Sequence, residues 1–365
     1  MQTFKEGKAS ISFGQETFFN PKMKQLRDIS VSFLNSVDIG EGKAIDATAA
    51  SGIRGIRYYL ETGCKDITFV DIDREVCAIM KKNIKANKVR GTVACQSFQD
   101  FANTCNEKFD VVDLDPFGTP SPFVYDALKI CKSGTIIMVT ATDTAVLCGA
   151  QKLACSKMYA SVPLHNELCH EAGLRILINY VLRNAAQYDF GIDVLLSIAD
   201  MHYMRVFIKL DRGAKKAFES VRNVGFVDYC NSCHDFKTTI GLAPEESRKC
   251  EYCSADMERA GPMWLGKLRD KRITRDIAND KGRMLDDYGL KLIRQIDSEL
   301  ETPFFYSIPM LTKYLKISSV STNDVIAELG KKFAVSQTSF DKFGLKTDAR
   351  ISDILKAVKK VAKDR

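Results

Sequence analysis

Apolar runs of strand length alternate with amphipathic stretches of helical period through the first 211 residues. Lys43-Ala44-Ile45-Asp46, Asp66 to Asp73, Val93 to Gln96, Phe109 to Leu114 and Gly134 to Thr142 read as five strands. The last is almost continuously apolar, as a strand covered on both faces should be. Helical patterns lie between them. Ile56 to Leu60 follows the first strand, and Glu75 to Lys88 turns Val76, Ile79, Met80 and Ile84 to one side. Ser121-Pro122 opens another helix, with Phe123, Ala127, Leu128 and Ile130 at helical spacing. A helix ahead of the first strand carries Met23, Leu26, Ile29, Val31, Phe33 and Leu34. Such alternation predicts an open parallel sheet. A long helix over Asn166 to Tyr188 then leads to two strands, Ile192 to Ile198 and Tyr203 to Leu210, joined by a tight turn. A parallel sheet closed by an antiparallel hairpin predicts a seven-stranded, Rossmann-like α/β fold.

The pattern changes after residue 211. Cys230-Asn231-Ser232-Cys233 and Cys250-Glu251-Tyr252-Cys253 are separated by sixteen residues. That spacing suits four thiolates around one tetrahedral zinc, closed by sulfur and therefore structural. It would staple a module too small for its own core. His234, beside the second cysteine, is the alternate ligand. Ala260-Gly261-Pro262-Met263-Trp264-Leu265-Gly266 follows, with the single tryptophan expected to pack at a domain joint. Helices are expected around Asp286 to Glu299, Ile308 to Tyr314 and Asn323 to Lys332. A small hairpin within 333–347 and a basic helix over Ile351 to Val361 close the chain in a winged-helix-like order. At 365 residues the chain exceeds one ordinary core. Three parts are expected: 1–211, a zinc module at 212–262 and an α+β C-terminal domain at 263–365.

Composition adds little until charge is placed along the chain. Contents of 45% hydrophobic and 27% charged residues are globular averages. No apolar run has the length of a membrane span and the N-terminus does not read as a signal peptide, so a cytoplasmic location is expected. The net charge is +7, and from Met263 onward 21 Lys and Arg face 14 Asp and Glu. The whole excess thus falls in the last part, as for a surface that tracks phosphates. The cysteines outside the two pairs (Cys64, Cys77, Cys95, Cys105, Cys131, Cys148, Cys155 and Cys169) read as reduced core residues.

The candidate chemistry collects at strand ends. In an open α/β sheet ligands bind at the carboxyl edge. The first strand ends at Asp46 and runs through the small-residue turn Ala47-Thr48-Ala49-Ala50-Ser51-Gly52 into a helix bearing Arg54. Asp71 follows Gly52 by nineteen residues, the spacing at which an acid receives ribose hydroxyls. Alanine at position 50 and Arg54 before the last glycine break the dinucleotide fingerprint. With no pyrophosphate cradle, the adenosine of a neutral or cationic cofactor fits better than NAD, and S-adenosylmethionine meets that description. The fourth strand ends in Asp113-Leu114-Asp115-Pro116-Phe117-Gly118. A carboxylate can accept from an exocyclic amine there, proline stiffens the chain, and the phenyl ring can stack on a flat heterocycle.

Taken together, these motifs resemble the tRNA guanine-26 N2-dimethyltransferase family of archaeal and eukaryotic type. The resemblance rests on Glu6-Gly7-Lys8, Phe18-Phe19-Asn20-Pro21-Lys22-Met23, Arg27-Asp28, Ser51-Gly52-Ile53-Arg54-Gly55-Ile56-Arg57 and Asp113 to Gly118. It continues through Thr140-Ala141-Thr142-Asp143, Leu147-Cys148-Gly149, Glu167-Leu168-Cys169-His170-Glu171 and Gly261 to Gly266. It implies a class I methyltransferase sheet, S-adenosylmethionine as cofactor and tRNA as substrate. It implies no protein partner and no membrane. Carried over by position, Arg27, Arg54 and Asp71 would hold the cofactor beside Asp46 and Gly52. Asp115 would be the catalytic acid, and Phe18 and Phe117 would sandwich the target guanine, with the Pro116 carbonyl on its amine. Gln96-Ser97-Phe98-Gln99-Asp100 departs from the family's usual Asp-Ala at the adenine, and Thr144 stands where a glycine is usual. Other readings are an amino-methyltransferase for another RNA or DNA base, and a zinc-ribbon RNA-binding protein without catalysis.

Overall fold

The computed structural model describes residues 2–13, 19–200, 202–279 and 284–364. It begins with an antiparallel hairpin, β1 (Gln2–Glu6) and β2 (Ala9–Phe13), which the periodicity did not announce. Then α1 (Lys24–Ser36), β3 (Lys43–Asp46), α2 (Ile53–Glu61), β4 (Asp66–Asp71), α3 (Arg74–Ala86) and β5 (Gly91–Cys95) alternate. They continue as α4 (Phe98–Thr104), β6 (Phe109–Leu114), α5 (Ser121–Lys129) and β7 (Cys131–Ala141). Short helices α6 (Thr144–Leu147) and α7 (Lys152–Tyr159) precede the long α8 (Cys169–Ala186) and the hairpin β8 (Phe190–Asp200) and β9 (Tyr203–Arg212).

These strands form one seven-stranded sheet in the order β5-β4-β3-β6-β7-β9-β8. Neighbours are parallel from β5 to β7, and β9 runs antiparallel to both its neighbours. This is the expected architecture. The switch point lies at β3, whose two neighbours are reached by crossovers on opposite faces. Ligands gather at such a reversal. The sheet is buried on both faces, one under α1, α2 and α3 and the other under α5 and α8.

After α9 (Ala214–Val221), β10 (Val224–Cys230), β11 (Phe236–Ile240) and β12 (Met257–Trp264) make a three-stranded antiparallel sheet with β10 central. The expected boundary at 262/263 therefore falls inside a strand. Next, α10 (Lys271–Ala278) and α11 (Asp287–Ser298) turn back. Ile273, Ile277, Ile293 and Ile296 are buried in the same cluster as Leu26, Ile29 and Phe33 of α1. These helices thus join the core of the first domain, α10 packing on α1 and α11 on α10. The separate C-terminal core starts later. It contains β13 (Tyr306–Ser307), α12 (Ile308–Leu315), α13 (Thr322–Leu329), β14 (Val335–Gln337), β15 (Gly344–Thr347) and α14 (Ile351–Lys363). The charge follows this revised boundary: from Phe304 on, twelve Lys and Arg face six Asp and Glu.

One cysteine expectation changes here. Cys77 of α3 and Cys95 at the end of β5 are bridged, with 6.1 Å between Cα atoms, because α3 lies across the β5 end. They are not separate reduced core residues.

Candidate functional site

Asp46, Asp71, Asp115 and Thr142 come together because β3, β4, β6 and β7 end on one edge. Asp113, the last residue but one of β6, is fully buried. It accepts two hydrogen bonds from Arg205, at 3.0 and 2.8 Å, and one from the Tyr58 hydroxyl at 2.5 Å. Two residues on, Asp115 has passed the end of the strand, and its carboxylate is partly open to the cleft. It accepts from Nη2 of Arg54, whose Nη1 lies 3.6 Å from Asp113. Burial alone would raise the Asp115 pKa. The charges of Arg54 and Arg205 and a hydrogen bond from Thr140 outweigh it and hold the carboxyl below its usual range.

Arg205 and Tyr58 were missed from sequence. The signal was present: Arg205 interrupts the apolar strand Tyr203-Met204-Arg205-Val206-Phe207. A buried cation in a sheet needs a buried anion. Three carboxyls (Asp46, Asp113 and Asp115) thus face two guanidiniums, those of Arg54 and Arg205. Asp46 absorbs the mismatch. Burial first, then the Asp113 charge, push its pKa to about 7 against Arg54 and the Gly55 N–H. That N–H donates to Asp46 at 3.1 Å, so Asp46 also anchors the first turn of α2.

The cofactor candidates are placed as follows. Asp71 accepts from the backbone N–H of Ala50 at 2.9 Å and of Asp73 at 3.0 Å. Two of its four lone-pair sites are thereby used, leaving two for a diol. Gly52, at φ +77°, is the N-cap of α2. Arg27 pairs through Nε and Nη2 with Glu6, at 2.8 and 2.6 Å, and Nη2 also donates to the Asn20 carbonyl. The β1–β2 hairpin is therefore tied to α1 by this pair and by Arg57. Among the described residues nothing in sequence had indicated that role for Glu6.

The substrate candidates differ in what can be said. Pro116 is buried, whereas Phe117 is 92% exposed. Gly118 follows at φ +82°, a left-handed turn in which a side chain would be strained. Gly118 and Thr142 exchange hydrogen bonds, N–H to Oγ1 at 2.7 Å and N–H to carbonyl at 2.9 Å, so the turn is clamped to the β7 end. The Tyr159 hydroxyl holds Thr119 at 2.8 Å and Asp143 at 2.9 Å. Phe18 lies outside the described residues. Its neighbour Phe19 is a packing anchor, 4.9 Å centroid to centroid from both Phe4 and Phe13.

The four paired cysteines converge. Cys230 and Cys253 sulfurs are 3.5 Å apart, Cys233 and Cys250 sulfurs 3.6 Å, and all four lie within 4.8 Å of one another. A tetrahedral ion with sulfur at about 2.3 Å sets edges of about 3.8 Å. Each pair is followed by a left-handed residue, His234 or Ser254, whose N–H returns to the first cysteine's carbonyl at 2.9 Å. Two matching knuckles thus fit zinc. His234 turns instead to Tyr229 at 2.6 Å and Glu167 at 3.2 Å. Cys250→Ser is expected to lose one equivalent of zinc and open the 241–248 loop. Metal analysis combined with limited proteolysis checks this, and an unchanged zinc content refutes it.

The profile of a family described as "N2,N2-dimethylguanosine tRNA methyltransferase" matches residues 2–359. A protein of Methanothermobacter thermautotrophicus named tRNA (guanine(26)-N(2))-dimethyltransferase is 36% identical over 355 residues, covering 95% of this chain and 93% of its own. One of the same name from Pyrococcus horikoshii is 34% identical over 374 residues, covering 97% and 95%. The solved complex of Trm1 from Pyrococcus horikoshii with S-adenosyl-L-methionine superposes with a TM-score of 0.91 at 33% identity, over 98% of this chain and 99% of that one.

Proposed function

The chain belongs to the N2,N2-dimethylguanosine tRNA methyltransferase family, and on that premise we propose how its own residues serve the reaction. The activity is S-adenosylmethionine-dependent methylation of the exocyclic N2 of guanine 26 in tRNA. One observation carries the residue assignment: Asp115 stands past the end of β6, partly open and held ionised by Arg54.

The cofactor supplies an electrophilic methyl group on a sulfonium. Asp71 receives its ribose hydroxyls on the two lone-pair sites left over. Asp46 and Gly52 line the turn beneath it. Arg54 and Arg27 would hold its charged tail. Guanine N2 is a poor nucleophile, since its lone pair is delocalised into the ring. Asp115 would accept from N2–H and hold the amine for attack; as the N2–CH3 bond forms, the S–CH3 bond of the sulfonium breaks to leave neutral S-adenosylhomocysteine, and Asp115 takes the proton lost from N2. The Pro116 carbonyl accepts the second N2–H. Phe117 offers its exposed face to the unstacked base, offsetting part of the cost of unstacking, by about 1–3 kcal/mol; Phe18, the second ring that the family resemblance implies, lies outside the described residues. The Asp46 titration leaves the pocket neutral to negative near pH 7, which suits a sulfonium. Zinc at the four cysteines is structural.

Nucleoside mass spectrometry of a tRNA transcript incubated with the cofactor tests this reading. Dimethylguanosine should appear with guanosine at position 26 and vanish when that position is adenosine. Methylation elsewhere would refute it.

We place tRNA contact on the C-terminal domain. Lys356, Lys359, Lys360 and Lys363 are exposed at i, i+3, i+4 and i+7 of α14, opposite the buried Ile351, Ile354, Leu355 and Val358. Replacing Lys356, Lys359 and Lys363 with alanine is expected to weaken tRNA binding. It should also flatten the plot of log affinity against log salt by about 2. An unchanged slope removes this face from the interface. No described helix is long and apolar enough to cross a membrane, and we propose a cytoplasmic enzyme.

A further inference from the structure

A second cluster of metal-ligating side chains lies beside the methylation cleft, apart from the paired cysteines. Cys148 caps the C-terminal end of α6, while Cys169 and His170 open α8. Their ligand atoms all lie within 4.8 Å of one another, and the Cys169 sulfur is 3.8 Å from Nδ1 of His170. A tetrahedral ion with bonds of about 2.3 Å to sulfur and about 2.0 Å to imidazole sets a sulfur-to-nitrogen edge of about 3.5 Å. The scaffold is closely packed. Gly173 lets α6 lie against α8, where a Cβ would come within 3.0 Å of the Leu147 carbonyl. The His165 Nδ1 lies 3.0 Å from the Cys148 carbonyl. The Cys169 and His170 side chains are half-buried, so an ion can reach the cluster from their side.

We propose that Cys148, Cys169 and His170 bind a second zinc ion, with the fourth position left to water. Two thiolates and an imidazole, without a carboxylate in the set, select a borderline-soft cation over magnesium or calcium. The ion is a brace. It joins α8 to α6, which begins two residues beyond the Thr142 clamp on Gly118 and so helps fix the turn that presents Phe117.

Metal analysis of the full-length protein, purified in reductant, tests the site. Wild type is expected to hold two equivalents of zinc and the Cys148→Ser/Cys169→Ser variant one. Should that variant not fold, cobalt titration of metal-stripped wild type gives the same answer. Thiolate-to-cobalt charge transfer should grow through a second equivalent, and His170→Ala should shift the d–d bands of that equivalent alone. Binding of one equivalent by wild type overturns the proposal. So does a Cys148–Cys169 disulfide found by peptide mapping of the protein under non-reducing conditions with its zinc intact.

Discussion

Asp115→Ala is expected to lower single-turnover methyl transfer about a thousandfold while S-adenosylmethionine binding stays within a few-fold. The split follows from position. Asp115 is the one carboxylate of the Asp46–Asp113–Asp115 cluster that is partly open, whereas Asp71, proposed above for the ribose, sits two strands away and is held by its own backbone donors. Removing Asp115 leaves Arg54 with Asp113 at 3.6 Å, so the guanidinium keeps a counter-charge and the cofactor wall should persist. Rapid-quench transfer and calorimetric binding report the two effects separately. Near-normal transfer, or equal losses in both, would sink the assignment. The pH profile adds a second reading. The lowered pKa means that Asp115 is ionised at neutral pH and remains so as pH falls through the ordinary carboxylate range. Its contribution to rate should therefore persist until below that range. An inflection near 7 would belong to Asp46 and should disappear in Asp46→Asn.

Glu171→Ala is expected to remove about 3–5 kcal/mol of stability and to loosen the C-terminal domain. Glu171, on α8, is fully buried and serves both sides of the joint. It accepts from Arg175 Nε at 2.9 Å and Nη2 at 2.8 Å, from the Phe304 N–H at 2.8 Å and from Lys346 of β15 at 3.2 Å. Without it, Lys346 keeps Glu299 at 3.5 Å while Arg175 loses its ion pair. Arg175 would still reach the carbonyls of Trp264 and Gly266, so the zinc module should stay docked while the last domain opens. Burial raises the Glu171 pKa, but Lys346 and Arg175 pull it below the usual value. A lowered folded-state pKa gives stability that is complete above the unfolded value and lost as pH falls through the folded one. The wild-type joint should accordingly weaken only in acid. Hydrogen exchange resolved by segment checks the alanine variant. Uniform protection with unchanged unfolding would refute the joint.

Much of this was legible in the chain, for identifiable reasons. Strand and helix periods gave the seven-stranded sheet, because buried parallel strands leave continuous apolar runs. Asp115 and Asp71 were legible as strand-end residues on the carboxyl edge, where ligands bind in such sheets. What escaped was whatever depends on partners distant in sequence. Glu6 could not be tied to Arg27 and Arg57 from composition. The Asp113–Arg205 pair spans 92 residues, and only the intrusive arginine hinted at it. The boundary at 262 failed because an amphipathic helix does not declare which core receives its stripe. The proximity of Cys148 to Cys169 was not legible, because the approach of α6 to α8 is invisible along the chain.

The return of α10 and α11 to α1 has a consequence during synthesis. Ile273, Ile277, Ile293 and Ile296 complete a core begun by Leu26 and Ile29. While the ribosome is still extending the 212–262 segment, the isoleucines that share a core with Leu26 and Ile29 have not been made, and that core is complete only when almost three hundred residues have emerged. A nascent chain stalled before Ile273 should therefore be a chaperone client although all seven strands of its sheet have been made. The same holds for any recombinant fragment cut at the apparent end of the methyltransferase fold.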